Sequence, residues 1–253
     1  MLFSGISSGT TINDVRPEIR EKLGHEVPPE LIFRDERGNR VVLKNLIDRP
    51  TIVSLVYFRC GRACPVLLGG LAQSLGKIAF DPVKDYRVIT VSFDDQDTPE
   101  VAFDKKRNYV MAVGKPYPED SWKFLTGDAG NIKKLTEALG FEFKKEMNGF
   151  NHPKGLIFLS ANGRVRRYLY GTSFSPLDIK IALAESACES GSWSGGDILL
   201  FSFSYDRREN TYHFNIVKVF AAVILFFIAS LALFVRVTRK RSLGGKGGMK
   251  WKM

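Results

Sequence analysis

At the centre of the chain lies the stretch Tyr57-Phe58-Arg59-Cys60-Gly61-Arg62-Ala63-Cys64-Pro65, in which two cysteines are separated by three residues. An apolar run rich in β-branched residues, 51–58, precedes it, and apolar residues at helical spacing follow it. This pattern predicts a turn from a buried strand into a helix, with the proline in the first helical turn. A helix N-terminus favours thiolate over thiol, which suits soft-metal binding or disulfide exchange. The ordinary alternative is a pair of packed core cysteines.

Predicted strands and helices alternate on both sides of this turn. The strands are expected at 51–58, 86–93, 122–125, 155–160 and 165–170, after a hairpin over 31–43. The helices are expected at 65–79, 98–109, 128–139 and 176–189. Such an order predicts an α/β fold class, with a mixed central sheet flanked by helices.

The C-terminal part of the chain has a different character. Residues 219–235 are seventeen residues without a charge, and residues 216–237 are long enough to cross a bilayer as one transmembrane helix. Seven Lys and Arg residues follow from Arg236 onward with no acid among them, so the net charge of +10 is largely a property of this tail. The basic excess therefore does not indicate nucleic-acid binding, and the positive-inside rule places the tail in the cytoplasm.

The chain is thus predicted to have five parts, which are a polar lead-in (1–27), a folded domain (28–190), a linker (191–215), a transmembrane helix (216–237) and a basic cytoplasmic tail (238–253). A domain that precedes the span has to be exported, yet residues 1–8 have neither a basic start nor a useful apolar run. We therefore expect a signal segment upstream of Met1.

Two thiolates do not complete a copper or zinc site, so a further ligand is expected. His25 lies in the polar lead-in and His213 lies beside the predicted span, so neither is a strong candidate. His152 lies in a loop before a strand, at the sheet edge where the cysteine turn is expected, and it is the best candidate.

Asp94, at the end of another strand, is a candidate weak ligand or outer contact of the site. Asp95 and Asp97 are expected in a solvated loop, and Cys188 is expected to pack on the apolar face of the last helix.

Several motifs, taken in order, resemble the Sco/SenC family of copper-binding proteins. They are Phe58-Arg59-Cys60-Gly61-Arg62-Ala63-Cys64-Pro65, Val91-Ser92-Phe93-Asp94 with Asp97-Thr98-Pro99-Glu100, Trp122-Lys123-Phe124-Leu125-Thr126-Gly127, and His152 with Gly163-Arg164-Val165 and Tyr170-Gly171. The resemblance covers residues 28–188. It implies a thioredoxin-like fold and a copper ion, Cu(I) or Cu(II), held by Cys60, Cys64 and His152.

The resemblance also implies a function, which is to assist assembly of the dinuclear copper centre (CuA) of cytochrome c oxidase. The expected partners are the copper-bearing oxidase subunit or another copper carrier, and a membrane. A tether that follows the domain resembles a bacterial sub-group, which predicts the bacterial inner membrane with the domain on the periplasmic side. The family pattern usually has one more residue between Asp94 and Asp97, and Pro153 directly after His152 is unusual in it.

Two other functions stay open. Cys60 and Cys64 could instead act as a thiol–disulfide oxidoreductase that reduces the acceptor cysteines, so the sequence does not decide whether the protein is an enzyme. Pro153 lies near the position of the cis-proline of thioredoxin-like redox enzymes, which favours this alternative. The third function is a metal-free docking module. A peroxidase is disfavoured, because the Pro and Thr residues that normally precede a peroxidatic cysteine are absent from 54–59.

Overall fold

In the computed structural model, the apolar run before the cysteines forms a strand of six residues, Thr51–Val56, all of them buried. The structure describes residues 17–147, 149–188, 203–206 and 211–244. The start of the predicted lead-in, most of the predicted linker and the end of the basic tail lie outside these ranges. The chain divides into two units, Met1–Ser192 and Trp193–Met253.

The strands are β1 (Ile32–Arg34), β2 (Arg40–Val42), β3 (Thr51–Val56), β4 (Arg87–Ser92), β5 (Trp122–Leu125), β6 (Lys144–Glu146), β7 (Gly149–Asn151), β8 (Gly155–Leu159), β9 (Val165–Tyr170), β10 (Phe203–Asp206) and β11 (Thr211–Phe214). The α-helices are α1 (Leu43–Leu46), α2 (Ala63–Lys77), α3 (Pro99–Ala112), α4 (Ala129–Ala138), α5 (Pro176–Ala187) and α6 (Ile216–Gly244), and a 3₁₀ turn spans Glu119–Ser121.

Five strands of the first unit form one mixed sheet in the order β5-β4-β3-β8-β9. The pairs β3–β4 and β4–β5 are parallel, whereas β3–β8 and β8–β9 are antiparallel. Apart from Arg87, which is half-buried, β3 and β4 are buried along their whole length, as is typical of parallel strands covered on both faces. The predicted α/β class with a mixed central sheet is therefore confirmed.

Polar N-cap residues mark the starts of the helices around this sheet. Asp128 accepts a hydrogen bond from the Asn131 N–H at the start of α4, and Ser175 accepts one from the Leu177 N–H at the start of α5. Thr98 and Pro99 occupy the cap and first position of α3, as the sequence predicts. The cysteine pair lies at the start of α2, which packs against α3 and α5.

The described part of the predicted lead-in, from residue 17 to residue 27, runs along the domain. The Arg20 N–H donates to the Gly140 carbonyl at 2.8 Å, and the Gly24 N–H donates to the Val165 carbonyl at 2.8 Å. Val27 is buried in the core. These residues therefore belong structurally to the same unit as the sheet.

The second unit contains an antiparallel hairpin and a helix. Strands β10 and β11 pair with Phe203 opposite Phe214, inside the segment that the sequence analysis assigns to a linker. Helix α6 covers the predicted transmembrane segment. Across the described ranges, none of the helices combines the length and the apolar content that a membrane span requires.

Candidate metal centre

The two cysteines lie where strand β3 turns into helix α2, as the sequence predicts. The Cys60 N–H donates to the Tyr57 carbonyl at 3.2 Å, which closes a tight turn directly after β3. Arg62 occupies the N-cap position of α2 without a side-chain capping bond, so Cys64 lies in the first helical turn. The Cys64 N–H points to the Cys60 sulfur at 3.5 Å, and both cysteines are free thiols that are 5% and 3% exposed, respectively.

His152 lies in the connection between β7 and β8, beside the cysteine turn. Its Nε2 is 3.5 Å from the Cys64 sulfur, and its Nδ1 is 2.8 Å from the Pro153 carbonyl oxygen. A carbonyl only accepts hydrogen bonds, so Nδ1 must carry the proton and donate it. Nε2 therefore presents its lone pair towards the cysteine pair, which is the tautomer that a metal ligand needs.

The two cysteines differ in acidity, contrary to the expectation that the helix N-terminus favours both thiolates. Burial raises the pKa of Cys60, but hydrogen bonds from the Cys64 and Arg62 N–H groups and the Tyr57 hydroxyl outweigh this effect and lower it to about 7. Burial raises the pKa of Cys64 well above its usual range. Burial also lowers the pKa of His152, so at neutral pH the metal-free site holds a neutral imidazole and a Cys64 thiol, while Cys60 is close to the midpoint of its ionisation.

Asp94 lines the same cleft as Cys60 and His152, but its carboxylate belongs to its own loop. Asp94 is buried, and its Oδ1 accepts the Gln96 N–H at 3.1 Å. The structure therefore brings Asp94 to the cleft, and its role as a weak ligand or outer contact of the site stays a prediction.

Asp97 is a functional residue that the sequence analysis missed, because it was expected in a solvated loop. Its side chain is 0% exposed, and its Oδ2 accepts the Phe58 N–H at 2.6 Å and the Ser92 hydroxyl at 2.7 Å. Its Oδ1 is 3.4 Å from Arg59 Nε. Burial raises the pKa of Asp97. The carboxylate thus fastens the cysteine turn to the end of β4, and Arg59 forms an ion pair with it.

Aromatic rings surround the imidazole of His152. The ring centroid of Phe93 is 5.1 Å from that of His152, and those of Tyr57 and Phe141 are 5.9 Å and 6.1 Å away. The apolar shell explains why the imidazole is half-buried and why its pKa is lowered. In the sequence, this aromatic shell is indicated only by the alternating Phe141 and Phe143 and by Phe150, which follows them.

The site opens into a cleft of about 740 Å³. Its lining includes Cys60, His152 and Asp94, with the exposed cations Arg62 and Lys154. Within the described residues, no three His, Cys, Asp or Glu side chains are grouped closely enough to count as a formed metal site. The Cys60 sulfur lies 3.5 Å from the Cys64 backbone N, and the Cys64 sulfur lies 3.5 Å from His152 Nε2. Two sulfurs with one imidazole nitrogen suit a soft metal.

Two other sequence expectations concern residues near the site. The chain has no cis peptide bond in its described part, so the bond before Pro153 is trans. Pro153 therefore does not correspond to the cis-proline of thioredoxin-like redox enzymes. Cys188 was expected on the apolar face of the last helix. In the structure it is instead the half-buried C-cap residue that follows α5.

Comparison with known proteins identifies the family. A model of the SCO1/SenC family matches residues 22–185. The chain belongs to the SCO1/SenC family. It is 30% identical to a candidate electron transfer protein from Aquifex aeolicus VF5, with 69% of this chain and 99% of that chain covered and a TM-score of 0.61.

Two more distant SCO1/SenC relatives share the fold. Arabidopsis thaliana ScoI with copper bound is 20% identical, with 63% of this chain and 97% of that chain covered and a TM-score of 0.52. BsSco, described as having a disulfide switch and as a member of a family of cytochrome c oxidase assembly proteins, is 22% identical, with 68% and 99% covered and a TM-score of 0.52. No curated protein matches the chain significantly.

Replacing the buried carboxylate is expected to destabilise the cysteine turn. In Asp97→Ala, the Phe58 N–H and the Ser92 hydroxyl lose their acceptor, which lowers the free energy of unfolding by about 2–3 kcal/mol. Urea unfolding monitored by near-UV circular dichroism measures the loss. The neighbouring exposed acid provides the control, since Asp95→Ala is expected to change stability by less than about 0.5 kcal/mol. Equal stability of the two variants would contradict the assigned role of Asp97.

The unequal acidity of the cysteines predicts selective alkylation. In the reduced, metal-free protein, the rate at which iodoacetamide modifies Cys60 is expected to rise as the pH increases through about 7, because the thiolate is the nucleophile. Cys64 is expected to stay unmodified over this range, because burial keeps it protonated. Peptide mapping by mass spectrometry distinguishes the two sites. A common pH midpoint for both cysteines would show that this asymmetry is wrong.

Proposed function

We propose that this SCO1/SenC protein is a metallochaperone that binds copper through Cys60, Cys64 and His152. The observation that carries the proposal is the placement of the His152 Nε2 lone pair 3.5 Å from the Cys64 sulfur, with the Cys60 sulfur 3.5 Å from the Cys64 backbone N. Two thiolates and an imidazole suit Cu(I), and the same set holds Cu(II) when a weak further ligand is added. The fold shared with copper-bound ScoI supports copper as the cargo.

The metal-free site is suited to loading. Cys60 ionises near neutral pH and His152 is neutral, so the Cys64 proton is the one that a metal has most to displace when it binds. The open cleft gives a partner access to Cys60 and His152, so that copper can move to another protein by stepwise exchange of ligands. We propose that the acceptor is the copper-bearing subunit of cytochrome c oxidase, at its CuA centre, or another copper carrier.

A thiol–disulfide reductase is the second candidate. Cys60 and Cys64 are adjacent free thiols, and a reactive thiolate beside a buried thiol is the arrangement of an attacking and a resolving cysteine. The disulfide switch described for BsSco supports this alternative. His152 distinguishes the two functions, because copper binding needs its imidazole and disulfide exchange does not.

Anaerobic Cu(I) titration of the reduced full chain tests the metallochaperone. We expect one tightly bound copper per wild-type chain and loss of tight binding in Cys60→Ala, Cys64→Ala and His152→Ala. The matched control Cys188→Ala, which removes a cysteine away from the cleft, is expected to bind as the wild type does. His152→Ala is also expected to retain disulfide exchange with glutathione. Absence of stoichiometric copper, together with a reducible Cys60–Cys64 disulfide, would favour the reductase.

We further propose that α6 attaches the protein to a bacterial cytoplasmic membrane, with the folded domain on the periplasmic side. The support is the uncharged segment 219–235 followed by basic residues; the side chains of 233–235 lie outside those that the structure describes. Most of the described apolar side chains of α6 are exposed, among them Leu225 and Phe227, both 66% exposed. The CuA acceptor would then be reached from the periplasmic side.

Carbonate extraction of membranes tests the tether. The wild-type chain is expected to stay in the membrane pellet. The double variant Leu225→Lys, Phe227→Lys is expected to be released, because each central charge opposes insertion by about 2.5–3.5 kcal/mol. Cys60→Ala, which leaves the helix unchanged, provides the control and is expected to stay in the pellet. Release of the wild-type chain by carbonate would refute the tether.

A further inference from the structure

Arg62 is an unusual residue for the N-cap position of α2. The N-terminus of a helix carries partial positive charge, so anions and small polar residues are favoured there and a cation is not. The Arg62 side chain makes no capping bond, is exposed and lines the cleft two residues after Cys60. The stability of α2 therefore does not explain why a cation lies here.

A second exposed cation lies on the other segment that carries a candidate ligand. Lys154 follows His152 by two residues and lines the same cleft. Among the residues that the structure describes, neither Arg62 nor Lys154 forms an ion pair with a carboxylate. Arg59 pairs with Asp97, yet its side chain is still 54% exposed. We call Arg59, Arg62 and Lys154 the cationic rim of the cleft.

The acids of the cleft do not neutralise the cationic rim. Asp94 is buried and accepts the Gln96 N–H. Glu146 is exposed, but it lies on the β6–β7 hairpin, and no cation in the described part of the chain pairs with it. The mouth of the cleft therefore presents more positive than negative charge. Such a charge opposes the approach of a free copper ion, so capture of copper from solution does not explain the rim.

The surface behind the rim is apolar. The half-buried rings of Tyr57 and Phe150 line the cleft, with their centroids 5.1 Å apart. Met147, between two cleft-lining residues of the hairpin, is 100% exposed. An apolar centre with a polar edge is the anatomy of a protein–protein interface, and exposed methionine is common on adaptable binding surfaces. This combination fits a docking surface better than a face that contacts only water.

We propose that the cationic rim docks an acidic face of the protein that exchanges copper with this chain. The rim flanks both Cys60 and His152, so a partner whose carboxylates pair with it also covers these candidate ligands. Opposite charges speed the encounter of two proteins and fix the register in which they meet. The description of the partner as a copper protein rests on the proposed metallochaperone function, whereas the acidity of its docking face rests on the rim alone.

Salt dependence of association gives the first test. The probe is the reduced, metal-free copper-bearing domain of a bacterial cytochrome c oxidase, chosen to have a net negative charge, and it is immobilised for surface plasmon resonance. The full chain is added in a non-ionic detergent, also reduced and metal-free. Its association rate is expected to fall about tenfold between about 50 mM and about 500 mM NaCl, because salt screens exposed charges.

Charge-reversal variants locate the effect. The double variant Arg62→Glu, Lys154→Glu is expected to associate about tenfold more slowly at low salt. Glu146→Lys is expected to associate faster, because it removes the exposed acid of the cleft. Lys134→Glu is the matched control, since Lys134 is an exposed cation of α4 outside the cleft, and it is expected to behave as the wild type does.

A measurement of stability separates docking from folding. Arg62→Glu alone is expected not to lower the urea midpoint of the chain, because an anion is favoured at this end of α2. Slower association of this variant then cannot come from loss of the fold. A lowered midpoint would instead give Arg62 a structural role and would remove the argument that assigns it to a partner.

Cross-linking identifies the lysines that touch the probe. A carbodiimide joins a lysine to a carboxylate in contact with it, and mass spectrometry then maps the joined residues. Lys154 is expected to predominate over Lys134 and over three lysines of the basic tail, Lys246, Lys250 and Lys252, which serve as a reference within the same sample. Preferential cross-linking of the tail would overturn the docking role of the rim.

The outcomes separate this proposal from the proposed function. If the chain binds no copper but still docks the acidic domain through Lys154, the metallochaperone fails and the docking surface stands. If copper binds, but association is absent or is independent of salt and of the double variant, the docking proposal is overturned and the metallochaperone stands. If Lys134→Glu slows association as much as the double variant does, the effect reflects net charge alone, and the docking proposal is likewise overturned.

Discussion

The site depends on one constraint, which is the pairing of β3 between β4 and β8 in the central sheet. This strand pairs in parallel with β4 and antiparallel with β8. Its C-terminal end therefore lies beside the C-terminal end of β4 and beside the start of β8. The connection after each strand, or before it in the case of β8, has to emerge at the same edge of the sheet. The cysteine turn, the Asp94 loop and the His152 connection meet there, although 88 residues separate Cys64 from His152.

Burial gives the three candidate ligands their different charge states. Cys64 and His152 lie in apolar surroundings that disfavour charge, whereas at Cys60 hydrogen bonding, including that from the Cys64 N–H, outweighs burial and lowers the pKa. Asp97 is not a solvated loop residue. Its buried carboxylate accepts hydrogen bonds from Phe58 and Ser92 and so ties the cysteine turn to the end of β4. The site is thus held by groups that do not themselves bind a metal.

Much of the fold could be predicted from the sequence, because its signals are local. The apolar run at 51–56, the Thr98-Pro99 start of α3 and the cysteine spacing each indicate one element without reference to any other. The position of His152 was predicted from the expected strand order. Asp97 was missed because an acid after a strand resembles any solvated loop residue, and only packing shows that its side chain is 0% exposed. Cys188 was misplaced because the end of a helix is set by tertiary contacts rather than by periodicity.

By itself, the sequence determined which residues have the chemistry of a soft-metal site, and that two of them share a strand-to-helix turn. Spacing along the chain is enough for that, since residues four apart lie on one side of a helical turn. Only the tertiary structure decided that the Cys64 thiol stays protonated, that Nε2 of His152 faces it, and that Asp97 holds the turn. Burial and hydrogen-bond partners come from segments distant in sequence, and protonation depends on those surroundings rather than on residue type alone.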